Sequence, residues 1–346
     1  MKAMQPPELA RSPAEPARQN ATQSDPMLAV ANLRVGVGDG PAIVDGVDLA
    51  LNSGRILCLV GESGSGKSLT ALSLMRLLSP VMRLAADRFV LDGEDLAQAS
   101  EKRLNAIRGN RMAMVFQEPM TALNPVMTVG DQITETLRVH QGLRQEAARE
   151  VALAMFRQVQ IPAPEARLRA YPHQLSGGMR QRVMIAMALI CKPAILIADE
   201  PTTALDVTIQ SQILRLIDDL RAQLGTAVLF ITHNLAVVAE IADEVAVMYA
   251  GRIVERASRT ALFGDPMHPY TLALFAAMPR ADERGRPLAT IEGQVPAPGA
   301  MPKGCRFAPR CPFAAARCRE DYPPLREIAP AHWVSCWHAP LEEHLS

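Results

Sequence analysis

This sequence carries no excess of charge of either sign. Its 36 Lys and Arg are balanced by 36 Asp and Glu, so no net basic field marks it as a nucleic-acid binder. It lacks an apolar run long enough to cross a bilayer; the nearest, 183–198, is broken by Cys191, Lys192 and Pro193. Its N-terminus has no charged-then-apolar leader and carries Pro6, Pro7, Pro13 and Pro16 instead. These absences predict a chain that stays in the cytoplasm and reaches a membrane only through a partner. At 346 residues it is long enough to bury a large core and to divide into two or more domains.

Residues 1–26 are rich in Pro, Ala, Gln and Arg, with little to bury, and read as a disordered tail. Short apolar strands are expected at 28–37, 46–51, 56–60, 89–93 and 113–116, and again at 194–198, 227–231 and 244–248. Helical patterns lie between them, at 69–78, 132–170, 183–190 and 208–224. Strands alternating with helices predict an α/β core with a mostly parallel sheet. That core spans 27–278, with a helix-rich insert at about 118–185. Residues 279–346 form a Pro-rich, cysteine-bearing C-terminal module.

The most informative stretch is Gly61-Glu62-Ser63-Gly64-Ser65-Gly66-Lys67-Ser68. It follows a strand and opens a helix, which is the context a phosphate-binding loop requires. An anionic phosphate chain needs backbone N–H donors at close range and a helix N-terminus aimed at it. Glycines let the backbone wrap that closely. Lys67 reaches the outer phosphates, and the Ser68 hydroxyl can ligate Mg²⁺. A flexible glycine turn would need neither this spacing nor this context. The loop predicts binding of a nucleoside triphosphate.

The strand at 194–198 ends in Asp199-Glu200. In a phosphate-loop protein, Asp199 is placed to hold Mg²⁺ through its water shell. Glu200 can take a proton from water attacking the γ-phosphate. Leu175-Ser176-Gly177-Gly178-Met179-Arg180-Gln181 precedes an apolar helix, with Ser176 a good N-cap. Gln117 follows the strand ending at Phe116, Pro201-Thr202-Thr203-Ala204-Leu205-Asp206 follows Glu200, and His233 follows the strand at 227–231.

In this order these motifs resemble those of the ATP-binding cassette (ABC) ATPases: phosphate loop, Q-loop, signature sequence, D-loop and switch histidine. The resemblance implies a P-loop core of mostly parallel sheet, an antiparallel β subdomain and a helical subdomain. It further implies two such subunits facing head to tail. Each ATP then lies between the phosphate loop of one and the signature helix of the other, so that Ser176, Gly177 and Gly178 serve a nucleotide bound on the partner. Gln117 would sense Mg²⁺ and the attacking water, His233 would contact the γ-phosphate, and Asp206 would order the D-loop across the interface. Where the family has an adenine-stacking aromatic, the run from Leu33 to Gly38 has none, and Val37 offers only apolar contact. Asn234 stands where an acidic residue is common.

The segment from Met120 to Gly130 and the C-terminal cysteines narrow the resemblance, over about 27–338, to ATPase subunits of oligopeptide/dipeptide-type ABC importers, a group that includes nickel transporters. It implies that ATP hydrolysis drives import of peptides, or of nickel or another small solute, through two transmembrane permease subunits. A solute-binding protein takes part indirectly, and the second ATPase subunit is identical or different. The chain would sit peripherally on the cytoplasmic face of the membrane, with its helical subdomain docked on the permease. A soluble ABC ATPase acting on nucleic acid is disfavoured by the charge balance and the single cassette. An exporter is disfavoured by the cysteines. Cys305, Cys311, Cys318 and Cys336 fall in the last 42 residues (305 to 346). With no secretory signal, disulfides are not expected, and four thiolates suit a metal. In the importer family the pattern is associated with a [4Fe–4S] cluster, favoured here over zinc, with free thiols as the third reading. Cys58 and Cys191 sit in apolar runs as core residues.

Overall fold

The computed structural model describes residues 25–203, 205–278 and 291–341, without the side chains of Pro119 and Met120. All but the last two residues of the expected tail lie outside the described residues, as do the expected boundary at 279 and Ala204 of the D-loop motif.

Two sheets organise the chain. The first is antiparallel: β1 (Leu28–Val37) pairs with β2 (Ala42–Leu51), β4 (Met82–Ala85) and β5 (Arg88–Leu91), and β6 (Glu94–Asp95) closes the edge beside β5. The second has a parallel centre, in the spatial order β10 (Glu244–Tyr249), β3 (Ile56–Val60), β9 (Ala227–Thr232), β8 (Ile195–Asp199), β7 (Met112–Val115). Beyond β10 it continues antiparallel through β11 (Arg252–Ser258), β13 (His332–Val334) and β12 (Arg326–Ala329). The last strands of the chain therefore extend the main sheet, so the cysteine-bearing region is built onto the core.

The central strands are buried on both faces, and alternation decides which side chain goes where. Ile56, Cys58 and Val60 of β3 point to one apolar layer, Leu57 and Leu59 to the other. One layer is closed by the antiparallel sheet and by α1 (Lys67–Leu74), with α2 (Glu101–Ile107) at its margin. The opposite layer is closed by α7 (Gly177–Leu189), α8 (Val207–Leu224) and α9 (Leu235–Ile241). In the helical insert, α4 (Val129–Gln141) and α5 (Gln145–Gln158) pack on this same layer, with α3 (Pro119–Ala122) beside α7 and α6 (Pro164–Arg167) beside α5. Its helices start and stop where local chemistry dictates. Thr128 caps α4 by accepting from the Asp131 N–H, and Gly142 ends it in a left-handed turn. α10 (Arg259–Gly264) and α11 (Pro269–Ala276) follow β11, and the short α12 (Ala316–Glu320) lies in the cysteine region. Among the described residues, no helix is long and apolar enough to cross a membrane.

Candidate nucleotide site

Four functional segments leave the carboxyl ends of four adjacent parallel strands. The glycine loop follows β3, Asp199 ends β8, Gln117 comes shortly after β7, and His233 follows β9. In an open α/β sheet this edge is where ligands bind.

The loop from Gly61 to Gly66 wraps tightly. At Gly61 a Cβ would come 2.2 Å from the Met248 carbonyl oxygen, and Gly66 has φ 105° as it enters α1. Lys67 is almost fully buried, and its ammonium donates to the carbonyls of Gly61 at 2.8 Å and Glu62 at 2.9 Å. Burial pulls Lys67 below its ordinary lysine value, opposed by the carboxylates of Glu200, Asp199 and Glu62. The Ser68 hydroxyl donates to Asp199 Oδ1 at 3.1 Å. Burial pushes the Asp199 carboxyl up; the Ser68 bond opposes this and the charge on Glu200 adds to it.

Glu200 gathers three side chains. Gln117 Nε2 donates to Oε2 at 3.3 Å, the Thr203 hydroxyl donates to Oε2 at 2.9 Å, and His233 Nδ1 lies 3.0 Å from Oε1. Burial works against the Glu200 charge, but the bonds from His233 and Thr203 and the charges of His233 and Lys67 outweigh it, holding the carboxyl below its usual range. Its backbone is strained, with φ 46° at a non-glycine residue. Gln117, Glu200 and His233 thus stand together at one edge of the sheet. Thr203 was not singled out as a partner of Glu200, and its place three residues on is the one sequence signal available.

The signature residues stand elsewhere. Ser176 accepts from the Met179 N–H at 3.3 Å and caps α7; Ser176 and Gly177 are exposed. Among the described residues no hydrogen bond joins them to the glycine loop. Asp206 caps α8, accepting from the Ile209 N–H at 2.9 Å. Asn234 caps α9, accepting from the Ala236 N–H. Val37 is 49% exposed. A cleft of about 730 Å³ lies over the loop, between Gly61–Gly64, His233, Leu274 and residues 293–298.

The four C-terminal cysteines line one small cavity with His268, Phe307, Trp337 and His338. Cys318 Sγ is 3.6 Å from His338 Nε2, and Cys336 Sγ accepts from the His338 N–H at 3.4 Å. Burial raises the Cys305 thiol, and pushes Cys311 up to about 11 and Cys336 up to about 12. The donor set suits a thiolate-bound metal, which would have to deprotonate it. The spacing is not that of a formed centre: among the described residues no three His, Cys, Asp or Glu side chains stand where they could hold an ion. The cavity itself is about 10 Å³, room for roughly one water-sized group.

Comparison with known proteins agrees with this geometry. The family model described as ABC transporter matches residues 44–203, and that of the oligopeptide/dipeptide transporter C-terminal region matches 254–318. The chain is 51% identical over 326 residues to a probable peptide ABC transporter ATP-binding protein of Sinorhizobium fredii, covering 93% of this chain and 97% of that one. It is 47% identical over 320 residues to the dipeptide transport ATP-binding protein DppD of Escherichia coli, covering 92% and 98%. Among solved structures, the dimeric post-hydrolysis state of the ATP-binding cassette MJ0796, bound to ADP and Pi, superposes with a TM-score of 0.60 at 26% identity, covering 67% of this chain and 99% of that one. This chain belongs to the ABC transporter family of ATP-hydrolysing proteins, with the oligopeptide/dipeptide transporter C-terminal region.

Proposed function

We propose that this chain is the ATP-hydrolysing subunit of a peptide importer, working from the cytoplasmic face of the membrane as a dimer with a second ATPase subunit and driving two permease subunits fed by a solute-binding protein. The observation that carries it is the convergence of Gln117, Thr203 and His233 on Glu200, beside the Ser68–Asp199 pair. The solute class follows the peptide and dipeptide transporters to which the chain is similar along most of its length.

In this reading Gly61, Glu62, Ser63, Gly64, Ser65 and Gly66 present backbone N–H groups to the phosphates, and Lys67 exchanges its loop carbonyls for the outer phosphate oxygens. Ser68, Asp199 and Gln117 would hold Mg²⁺, which supplies charge neutralisation for the transferring phosphoryl group; the Ser68 hydroxyl and the buried Asp199 carboxylate are a hard-oxygen donor set of the right kind. Glu200, kept ionised by its partners, accepts a proton from the attacking water. His233 fixes Glu200 and faces the γ-phosphate. Ser176, Gly177 and Gly178 close the site of the neighbouring subunit, and Asp206 orders the D-loop there. A groove of about 320 Å³ between the core and the helical insert, walled by Met75, Leu77, Phe116, Leu123, Met184 and Met187, is apolar and suits an amphipathic permease helix. We divide the chain at 27, 118–185 and 279 on the same grounds.

Glu200→Gln in the assembled ATPase should lower turnover by 10² or more while ATP-dependent dimerisation survives; normal turnover would remove Glu200 from the mechanism. Uptake of labelled dipeptides lost in a deletion strain supports peptide import, whereas loss of nickel uptake alone replaces it. For the four cysteines the proposal is the iron–sulfur cluster. Anaerobically purified protein should then be brown, with broad absorption near ~400 nm. Colourless protein with stoichiometric zinc reverses the choice.

A further inference from the structure

The C-terminal region reaches back to the glycine loop through one side chain. Arg310 closes the short turn Ala308–Arg310, next to Cys311, and its side chain is 5% exposed. Its guanidinium holds both oxygens of the Glu62 carboxylate, Nη1 to Oε2 at 2.8 Å and Nη2 to Oε1 at 3.0 Å. Nε donates to the Glu292 carbonyl at 2.8 Å, and Nη2 also donates to the Ile291 carbonyl at 3.0 Å. Nη1 lies 3.4 Å from the Tyr249 hydroxyl at the end of β10.

Glu62 is itself part of the loop, and every polar end of it is occupied by a different part of the chain. Its backbone N–H donates to the Tyr270 hydroxyl of α11 at 2.8 Å, and its carbonyl accepts from Lys67. Its carboxylate belongs to Arg310. Residues 293–298, which follow directly on the carbonyls Arg310 holds, wall the cleft over the loop together with Gly61 and Glu62. A two-pronged guanidinium–carboxylate contact fixes orientation as well as distance. A loop that must aim several N–H groups at one phosphate binds better when it is already held in that shape.

We propose that Arg310 is a positioning residue for the phosphate loop: acting through Glu62, it keeps the loop in its binding shape, so the C-terminal region sets nucleotide affinity without touching the nucleotide. This rests on the reading that residues 61–68 hold the nucleotide.

The test uses the full chain, MgADP as probe, calorimetric dissociation constants and the thermal midpoint of each variant. Arg310→Gln and Glu62→Gln should each raise the MgADP Kd about tenfold, within the usual range of site-to-site coupling. The double variant should match either single one, because one contact is lost in all three. Arg310→Lys should recover part of the affinity. In the assembled ATPase, Arg310→Gln should raise KM for ATP and leave kcat in place. Arg317→Gln, which gives up a cation–π contact at 3.6 Å on Trp337 in the same region, should leave affinity unchanged. Wild-type affinity in Arg310→Gln, additive losses in the double variant, or an equal loss in Arg317→Gln would overturn the proposal. Lys67→Ala separates the two levels: it should abolish binding, and if it binds as wild type the site reading fails and takes this proposal with it.

Discussion

The starts of α1 and α7 are both glycine-bearing helix N-termini, and they are built for opposite situations. The α1 end is wrapped and occupied: Gly61, Ser65 and Lys67 are buried, and the Lys67 ammonium is held by loop carbonyls. The α7 end is bare. Ser176 spends its hydroxyl on its own helix, and Gly177 faces solvent. One end presents its N–H groups inside a folded loop, the other presents them to solvent. In the function proposed above, the exposed end is the one that closes the neighbouring subunit's site. A helix N-terminus carries the same partial positive charge in both places.

The glycines give the sharpest way to break that contrast. At Gly61 a Cβ meets the Met248 carbonyl at 2.2 Å, a backbone obstacle that cannot swing aside as a side chain could. Gly61→Ala should therefore abolish nucleotide binding by the isolated chain and destabilise it by about 3 kcal/mol or more, in the range of severe overpacking. At Gly177 the nearest atom to a Cβ is Leu205 Cδ2 at 4.0 Å, and an acidic residue in a first helical turn is favourable. Gly177→Glu should keep its fold and its own MgADP affinity, yet lower turnover of the assembled ATPase about a hundredfold, because in the proposed function its carboxylate would face the partner's γ-phosphate. Isothermal calorimetry on the isolated chain and phosphate release from the assembly give the two readouts. Equal behaviour of the two variants would erase the distinction between the two helix ends.

The loop was legible in the sequence because all its parts are local: a strand, fixed glycine spacing and a helix lie within one short run. Glu200 and His233 were legible because parallel strands bring their carboxyl ends to one edge, so a residue just after each strand lands near the others. The helical pattern at 208–224 corresponds to α8, on which Ile213, Leu216, Ile217 and Leu220 are buried and Ile209 is half-buried. β11 was missed, because Arg252, Glu255 and Arg256 disguise it. Glu255 is nonetheless fully buried, and its charge is satisfied by the backbone N–H groups of Met267 and His268 and by His332. The Arg310–Glu62 pair was beyond reach for a different reason. Its partners are 248 residues apart, and a contact set by the path of the chain leaves no periodicity to read. The cysteines lie between these cases. Their convergence on one cavity was foreseeable, but thiol spacing along the chain does not specify how far apart the sulfurs stand.

The smallest effect probes what the ready half-site costs the protein. Asp199 is 4% exposed, and burial, with repulsion from Glu200, outweighs the help it receives from Ser68 and Lys67. Its folded-state pKa is therefore above the unfolded value of 3.8. The stability it contributes is complete below that value and is lost as pH rises through the folded one, so at neutral pH its charge opposes folding. Asp199→Asn removes the charge and keeps an oxygen to accept from Ser68. Without nucleotide, its thermal midpoint at pH 7 should exceed the wild type's by about 2 °C, and the gain should shrink as the pH is lowered towards 4. Turnover should meanwhile be lost, since in the proposed function this carboxylate would hold Mg²⁺. A midpoint below wild type at pH 7 would mean that the attraction between Asp199 and Lys67 outweighs burial, and that this half-site is stabilised by its charges rather than held charged at the expense of stability.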